Sequence, residues 1–296
     1  MRTGTKGSYG AKLDRVTALA PPLPELQPFD DASPIRLVHI EGVLLLGGGR
    51  ALLMQLAHPS VAQGVAEHSG FRADPIGRLL RTLRPMLAIA YGSPEEVAAA
   101  AGGVTAIHAR INGAAYDARD PALLLWVLAT LIDTTLVMQE RFLRPLPPAF
   151  AEAYYQDMLH VGELLGLERR YAPDDLAGFY RYVDNTLATM RVSPTSRRLA
   201  REVLTGPTAL LPAMWGMRLL TAGLLPSKLR EQFGLPWGPT RDRTLRGLQL
   251  ASRALLPHTP LALRGTPALL LPPSWKTKRR RNRTDAHTGL VTAPEP

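Results

Sequence analysis

The 296-residue sequence contains no cysteine. Disulfide scaffolds, thiolate nucleophiles, iron–sulfur clusters and cysteine-type zinc sites are therefore excluded, and a thiolate-ligated heme is excluded with them. Aromatic residues are also few, at 6% of the chain, whereas apolar residues make up 46% and leucine and alanine dominate. Runs in which valine, isoleucine or threonine alternate with polar residues are missing. This composition favours helices over sheet.

The N-terminal segment lacks the apolar core of a secretion signal. The longest apolar run, "ALLLWVLATLI" at 122–132, is shorter than the roughly 20 residues that a membrane span needs. We therefore predict a cytoplasmic protein.

Positive charge is concentrated near the C-terminus. The run "KTKRRRNR" at 276–283 holds six of the positive charges behind the net charge of +10. No aromatic residues interleave with these charges, as a stacking platform for nucleic acid would need, so no specific nucleic-acid partner is predicted. The run is typical of a solvated tail, and it offers weak peripheral contact with an anionic membrane, with Trp275 at the interface.

Helical patterns follow one another through the middle of the chain, and proline-rich stretches flank them. We predict three segments: an extended lead-in over 1–33, a helical domain over 34–256, and a proline-rich, basic tail over 257–296. Asp120 and Pro121 suit the first positions of the best-defined helix. The predicted fold is an all-α, single multi-helix domain.

One histidine is placed unusually. In "VTAIHARING" (104–113), helical spacing puts Val104, Ile107, Ile111 and Ala115 on one apolar stripe, and His108 falls within it. Two interpretations stay open at this point. His108 is either a core histidine satisfied by a hydrogen bond or a ligand for a group held inside the fold.

Other familiar patterns fail on their context. "GGGRALL" lacks the ending of a phosphate loop and follows no strand, so its glycines indicate a turn or close helix packing. "DMLHVGE" gives one half of a helical di-iron site without a second half. "GRLLRTL" (77–83) places Arg78, Arg81 and Thr82 on one helix face, which taken alone indicates a solvated basic surface.

Several of these segments together resemble a known family. The order "GRALLMQLAHPSVAQGVAEHSGFRADPIGRLLRTL", then "IHARING", then "LLLWVLATLIDTTL" resembles the latex-clearing rubber oxygenases and the membrane-bound side-chain oxygenase of mycophenolic acid biosynthesis. The resemblance covers roughly residues 35–205.

The resemblance implies an all-helical, distantly globin-like fold that holds one heme b iron. His108 would be the iron ligand. Arg78, Arg81 and Thr82 would line the distal side, the two arginines also binding the cofactor, and Glu67 would act as a base on an allylic proton. The sequence departs from the rubber oxygenases at Thr105 and Asn112, where they carry arginine, and at Leu128, where many members carry histidine.

The predicted function is thus a heme-dependent oxygenase that uses O2 on a small apolar substrate, isoprenoid or lipid-like. A non-catalytic helical protein that binds a hydrophobic ligand or a membrane surface is the alternative.

Overall fold

The computed structural model describes residues 29–68, 75–114, 116–205 and 211–277, with the backbone alone for 75–81 and 211–213. Most of the predicted lead-in and most of the basic run lie outside these ranges.

Short and medium helices make up the first part of the described chain. They are α1 (Pro34–His39), a 3₁₀ helix (Gly42–Gly47), α2 (Gly48–Ala57), α3 (Pro59–His68), α4 (Pro75–Tyr91) and α5 (Pro94–His108). Two strands of two residues, β1 (Asn112–Gly113) and β2 (Tyr116–Asp117), then form an antiparallel hairpin that pairs Asn112 with Asp117.

The second part is also helical. Its elements are α6 (Pro121–Phe142), α7 (Pro148–Leu164), a 3₁₀ helix (Arg169–Tyr171), α8 (Leu176–Thr189), α9 (Pro194–Thr205), α10 (Leu211–Leu224), α11 (Ser227–Gln232), α12 (Pro239–Leu255), a 3₁₀ helix (Leu256–His258) and α13 (Leu261–Arg264). The all-α prediction is confirmed.

Helix α6 is central to the packing. The Asp120 carboxylate accepts a hydrogen bond from the Ala122 N–H at 2.8 Å and Pro121 occupies the first turn, as the sequence predicts. Ile132 packs in one buried cluster with α4, α5, α7 and α8. Trp126 packs in a second buried cluster with α2, α3 and α9, and its indole N–H donates to the Met54 carbonyl at 3.2 Å. Burial on several sides explains why this helix is almost uniformly apolar.

By length and mean hydropathy alone, α6 would suit a membrane span, yet 61% of its apolar window is buried inside the protein. The helix also contains the buried Asp133, which pairs with Arg50 of α2 at 2.6 Å. These features fit the core helix of a globular fold.

The predicted role of the glycines at 47–49 is confirmed as close packing. A Cβ built on Gly47 would lie 2.7 Å from Thr134 Cγ2, and one on Gly49 would collide with the Thr221 hydroxyl. Helix α2 therefore approaches α6 and α10 more closely than any larger side chain would allow.

Trp275, which the sequence predicts at a membrane interface, makes its described contacts within the protein. Its ring packs at 4.8 Å from the ring of Tyr91, and the Arg36 guanidinium lies over it at 5.4 Å. The next residue upstream, Ser274, bonds to Glu96 of α5. The segment before the basic run is thus anchored on the core.

Candidate functional site

An apolar cavity of about 150 Å³ lies between the 3₁₀ helix at 42–47, α2, α4 and α6. Most of its wall is aliphatic. The apolar lining residues are Leu44, Leu45, Ala51, Leu52, Leu83, Met86, Leu87 and Leu131. A small number of polar side chains also reach it: His39, Glu41, Gln55, Thr82, Thr134 and Thr135. An apolar wall with few polar groups is the usual composition of a small-molecule site.

His39 and Glu41 form the polar end of this cavity. The His39 Nε2 lies 3.0 Å from the Tyr154 hydroxyl, and burial lowers the pKa of His39 to about 4. Burial raises the pKa of Glu41, against the opposing effect of Arg264. Arg264 Nη1 donates to Glu41 Oε1 at 2.6 Å, while Glu41 Oε2 is buried without a hydrogen bond. At neutral pH the cavity therefore presents a neutral imidazole beside a partly paired carboxyl group.

The burial of His39 predicts a pH-dependent stability. Between its ordinary pKa of 6.5 and about 4, the unfolded chain binds a proton at His39 that the folded chain does not. The contribution of the neutral His39 to the free energy of unfolding is therefore complete above pH 6.5, and it is lost as the pH drops through this window. We expect His39→Gln to reduce the loss of unfolding free energy between pH 7 and 4.5 by about 2 kcal/mol. Urea denaturation of both proteins at pH 7 and at pH 4.5 measures this difference in unfolding free energy. The exposed His258→Gln is the control, and an unchanged loss in His39→Gln would contradict the prediction.

Thr82 is the predicted site residue that reaches the cavity. It lies on α4, one residue before Leu83, which also lines the wall. The Thr82 side chain is exposed, so it stands at the rim and not in the core. The side chains of Arg78 and Arg81, earlier on the same helix, lie outside the described part.

His108 is the last residue of α5 and lies on its buried face. The stripe runs from the buried Val97 and Ala101 to the half-buried Val104 and His108, at spacings of three to four residues. The predicted stripe was partly wrong, because Ile107 is 57% exposed and Ala115 lies outside the described residues. Burial lowers the pKa of His108, which keeps the imidazole neutral at pH 7.

Within the described part of the chain, no hydrogen bond engages the His108 ring, although its backbone carbonyl accepts from the Ile111 N–H at 3.0 Å. The same part holds no group of three or more His, Asp or Glu side chains placed to bind a metal. His108 therefore differs from His39, whose ring has a hydrogen-bonding partner.

The α4–α5 hairpin relates His108 to the residues predicted on the distal side. The two helices pack together and are joined by Gly92 and Ser93. Along the chain, Arg78 precedes Gly92 by 14 residues and His108 follows Ser93 by 15 residues. Thr82 is four residues nearer to the turn. His108 itself is not among the residues that line the apolar cavity.

Glu67 belongs to a separate polar cluster at the end of α3. Its exposed carboxylate accepts hydrogen bonds from Tyr116 and Gln63, and these bonds lower the pKa of Glu67, with Tyr116 contributing most. His68 Nδ1 lies 3.1 Å from the same Tyr116 hydroxyl. The structure thus does not place Glu67 on the wall of the apolar cavity.

Sequence reasoning missed His39, Glu41 and Tyr116. His39 ends α1 and Glu41 lies two residues later, before the 3₁₀ helix, and no recognisable motif includes them. Tyr116 had a partial signal, since the pair Asn112-Gly113 is common in hairpin turns and indicates a nearby chain reversal, although the structure places the pair in strand β1 and not in the turn.

Comparison with known proteins identifies the family. The family model described as "ER-bound oxygenase mpaB/B'/Rubber oxygenase, catalytic domain" matches residues 35–254. Uncharacterized protein Rv2237 of Mycobacterium tuberculosis and uncharacterized protein Mb2261 of Mycobacterium bovis are each 31% identical over 228 residues, which cover 70% of this chain and 88% of each relative. No solved structure matches the chain. The chain belongs to the mpaB/rubber oxygenase catalytic-domain family, and its function is accordingly of the oxygenase type.

Proposed function

We propose that this protein is a heme b-dependent oxygenase that acts with O2 on an apolar, isoprenoid or lipid-like substrate, and that His108 is the iron ligand. The observation that carries the proposal is the neutral, half-buried imidazole of His108, which ends the inward-facing stripe of α5 without a hydrogen bond in the described part. Its helix packs on α4, which contributes one wall of the apolar cavity.

His108 supplies one feature that a heme site needs. Heme iron is commonly held by a neutral imidazole, and an imidazole without another hydrogen-bonding partner would be available for that role. Heme would supply the binding and activation of dioxygen. Arg78 and Arg81, on the neighbouring helix, would pair with the heme propionates, because guanidinium groups form strong charge-assisted bonds with carboxylates.

The apolar cavity would hold the substrate and exclude water from it. Its leucines and Met86 offer dispersion contacts to a hydrocarbon, while Thr82 at the rim would donate a hydrogen bond towards the reacting oxygen. The base role that the resemblance gives to Glu67 has no place in this proposal, because Glu67 lies in a separate polar cluster with Tyr116 and Gln63, away from the cavity wall.

The proposal is tested by a spectrum and an oxygen electrode. Purified protein supplied with hemin should show a Soret band, and should consume oxygen with squalene but not with squalane, its saturated counterpart. Binding of squalene without a Soret band or oxygen uptake would favour the non-catalytic ligand-binding alternative instead.

Thr82→Val tests the distal helix at nearly constant volume. We expect heme content to hold and the oxygenase rate to fall by roughly 10- to 100-fold, the range expected for one lost hydrogen bond worth about 1.5–3 kcal/mol. Thr105→Val is the matched control, since the Thr105 hydroxyl is exposed on α5 and donates to the Ala101 carbonyl at 3.0 Å. Equal rates in the two variants would remove Thr82 from the site.

A further inference from the structure

A second and larger cavity, of about 380 Å³, lies between α6, α10, α11 and α12. Its wall is markedly basic, and we call it the arginine cavity. The charged lining residues are Arg50, Arg141, Arg230, Arg246 and Asp242. Neither the resemblance to oxygenases nor the apolar cavity accounts for this concentration of guanidinium groups.

Two of the four arginines are neutralised by carboxylates. Arg50 pairs with Asp133 at 2.6 Å, and Arg246 pairs with Asp242. Arg141 and Arg230 have no carboxylate partner among the described residues. The cavity thus carries about two uncompensated positive charges, an arrangement that attracts an anion.

Arg230 is held in place by neutral groups. Its Nη1 lies 3.3 Å from the Ala222 carbonyl, and its guanidinium lies 5.0 Å from the centre of the Trp237 ring. Gly223 makes room for that ring, since a Cβ there would collide with it. Such contacts orient the guanidinium without cancelling its charge, so its remaining N–H groups are available to a ligand.

A buried donor adds to this set. Gln249, on α12, lines the same cavity, and its Nε2 is buried without a hydrogen-bonding partner in the described structure. Leaving an amide donor buried and unpaired costs free energy, and turning the Gln249 amide towards the cavity would let it donate to a bound anion.

We infer that the arginine cavity binds a phosphate group, carried either by a soluble phosphorylated metabolite or by a lipid headgroup. Two uncompensated guanidinium groups match the charge of about −2 that a phosphate monoester carries at neutral pH, and their planar forks suit its several oxygens. The cavity would also accommodate part of the organic group that carries the phosphate. This site is independent of heme and of the proposed oxygenase reaction.

Titration calorimetry with inorganic pyrophosphate at constant ionic strength tests the inference. We expect saturable binding that Arg141→Gln and Arg230→Gln each weaken by at least about tenfold, the effect of losing a charge-assisted hydrogen bond. Arg243→Gln is the matched control, because Arg243 is exposed on α12 and does not line the cavity. Because Arg230 also packs on Trp237, the result for Arg230→Gln counts only if the melting temperature of this variant is unchanged. Arg141 is exposed, so Arg141→Gln removes the positive charge without disturbing the packing.

Absence of pyrophosphate binding, or equal weakening by Arg243→Gln, would overturn the inference. Co-sedimentation then distinguishes the two sources of phosphate. If vesicles with phosphatidic acid retain the protein more than phosphatidylcholine vesicles do, and Arg141→Gln abolishes the difference, the ligand is a lipid headgroup. If pyrophosphate binding depends on Arg141 and vesicle binding does not, it is a soluble phosphate.

Discussion

Replacing His108 by alanine will give a folded protein that purifies without heme. A heme b is held to its protein chiefly through the axial ligand and apolar contacts, and His108 is the imidazole that this structure offers at the end of a buried helix stripe. The side chain is only half-buried, so its removal should cost little in stability. The Soret absorbance per protein should fall to background, and oxygen consumption with squalene should stop.

His160→Ala is the control for this experiment. His160 lies on α7, where its Nδ1 contacts Glu163 at 3.3 Å and its ring meets Phe29, so this variant should keep both heme and activity. Added imidazole should restore part of the Soret band to His108→Ala by occupying the vacated position. Full heme content and an unchanged spectrum in His108→Ala would show that another residue holds the iron.

Helix positions were largely predictable because their signals are local. Asp120 with Pro121, Ser93 with Pro94, and the prolines at the starts of α7 and α12 each mark a first turn, where a side-chain cap or a fixed φ angle acts within a few residues.

The end of α5 was predicted less well. The pattern of apolar residues continues to Ala115, but the helix ends at His108 and the chain reverses at the Asn112–Gly113 strand. Periodicity correctly predicted that His108 faces inward, but it wrongly placed Ile107 on the buried face. The sequence of α5 alone does not show how much of its surface a neighbouring helix covers.

The polar end of the apolar cavity was not predictable from local patterns. Glu41 meets Arg264, a partner 223 positions away, and the Thr266 hydroxyl donates to the His39 carbonyl across a similar separation. Such pairs depend on how α13 returns to α1 in three dimensions. A family resemblance transfers motifs along the sequence, and it carries no information on contacts between unmatched segments.

The buried pair of Arg50 and Asp133 supports the largest stability effect that we expect. Arg50 is 3% exposed and joins three helices, because its guanidinium bonds to Asp133 Oδ2 at 2.6 Å, to Thr134 Oγ1 at 2.8 Å and to the Leu224 carbonyl at 2.8 Å. Arg50→Leu would leave the Asp133 carboxylate buried without a counter-charge. Breaking one side of such a pair costs about 3–5 kcal/mol, which corresponds to a fall in Tm of about 10 °C for a domain of this size.

Urea unfolding of four proteins separates the penalty of the orphaned charge from the loss of packing. Arg50→Leu should lose the full amount, while Arg50→Leu combined with Asp133→Leu should recover much of it, since no buried charge then remains unpaired. Arg119→Leu is the matched control, because Arg119 and Asp117 form an ion pair whose side chains are 57% and 40% exposed, and exposed pairs contribute at most about 1 kcal/mol. If Arg50→Leu were no more destabilising than Arg119→Leu, the three helices would be held by apolar packing alone. The double variant has no orphaned charge. If it were as unstable as Arg50→Leu, the lost free energy of unfolding would come from the bonds of Arg50 to Thr134 and Leu224.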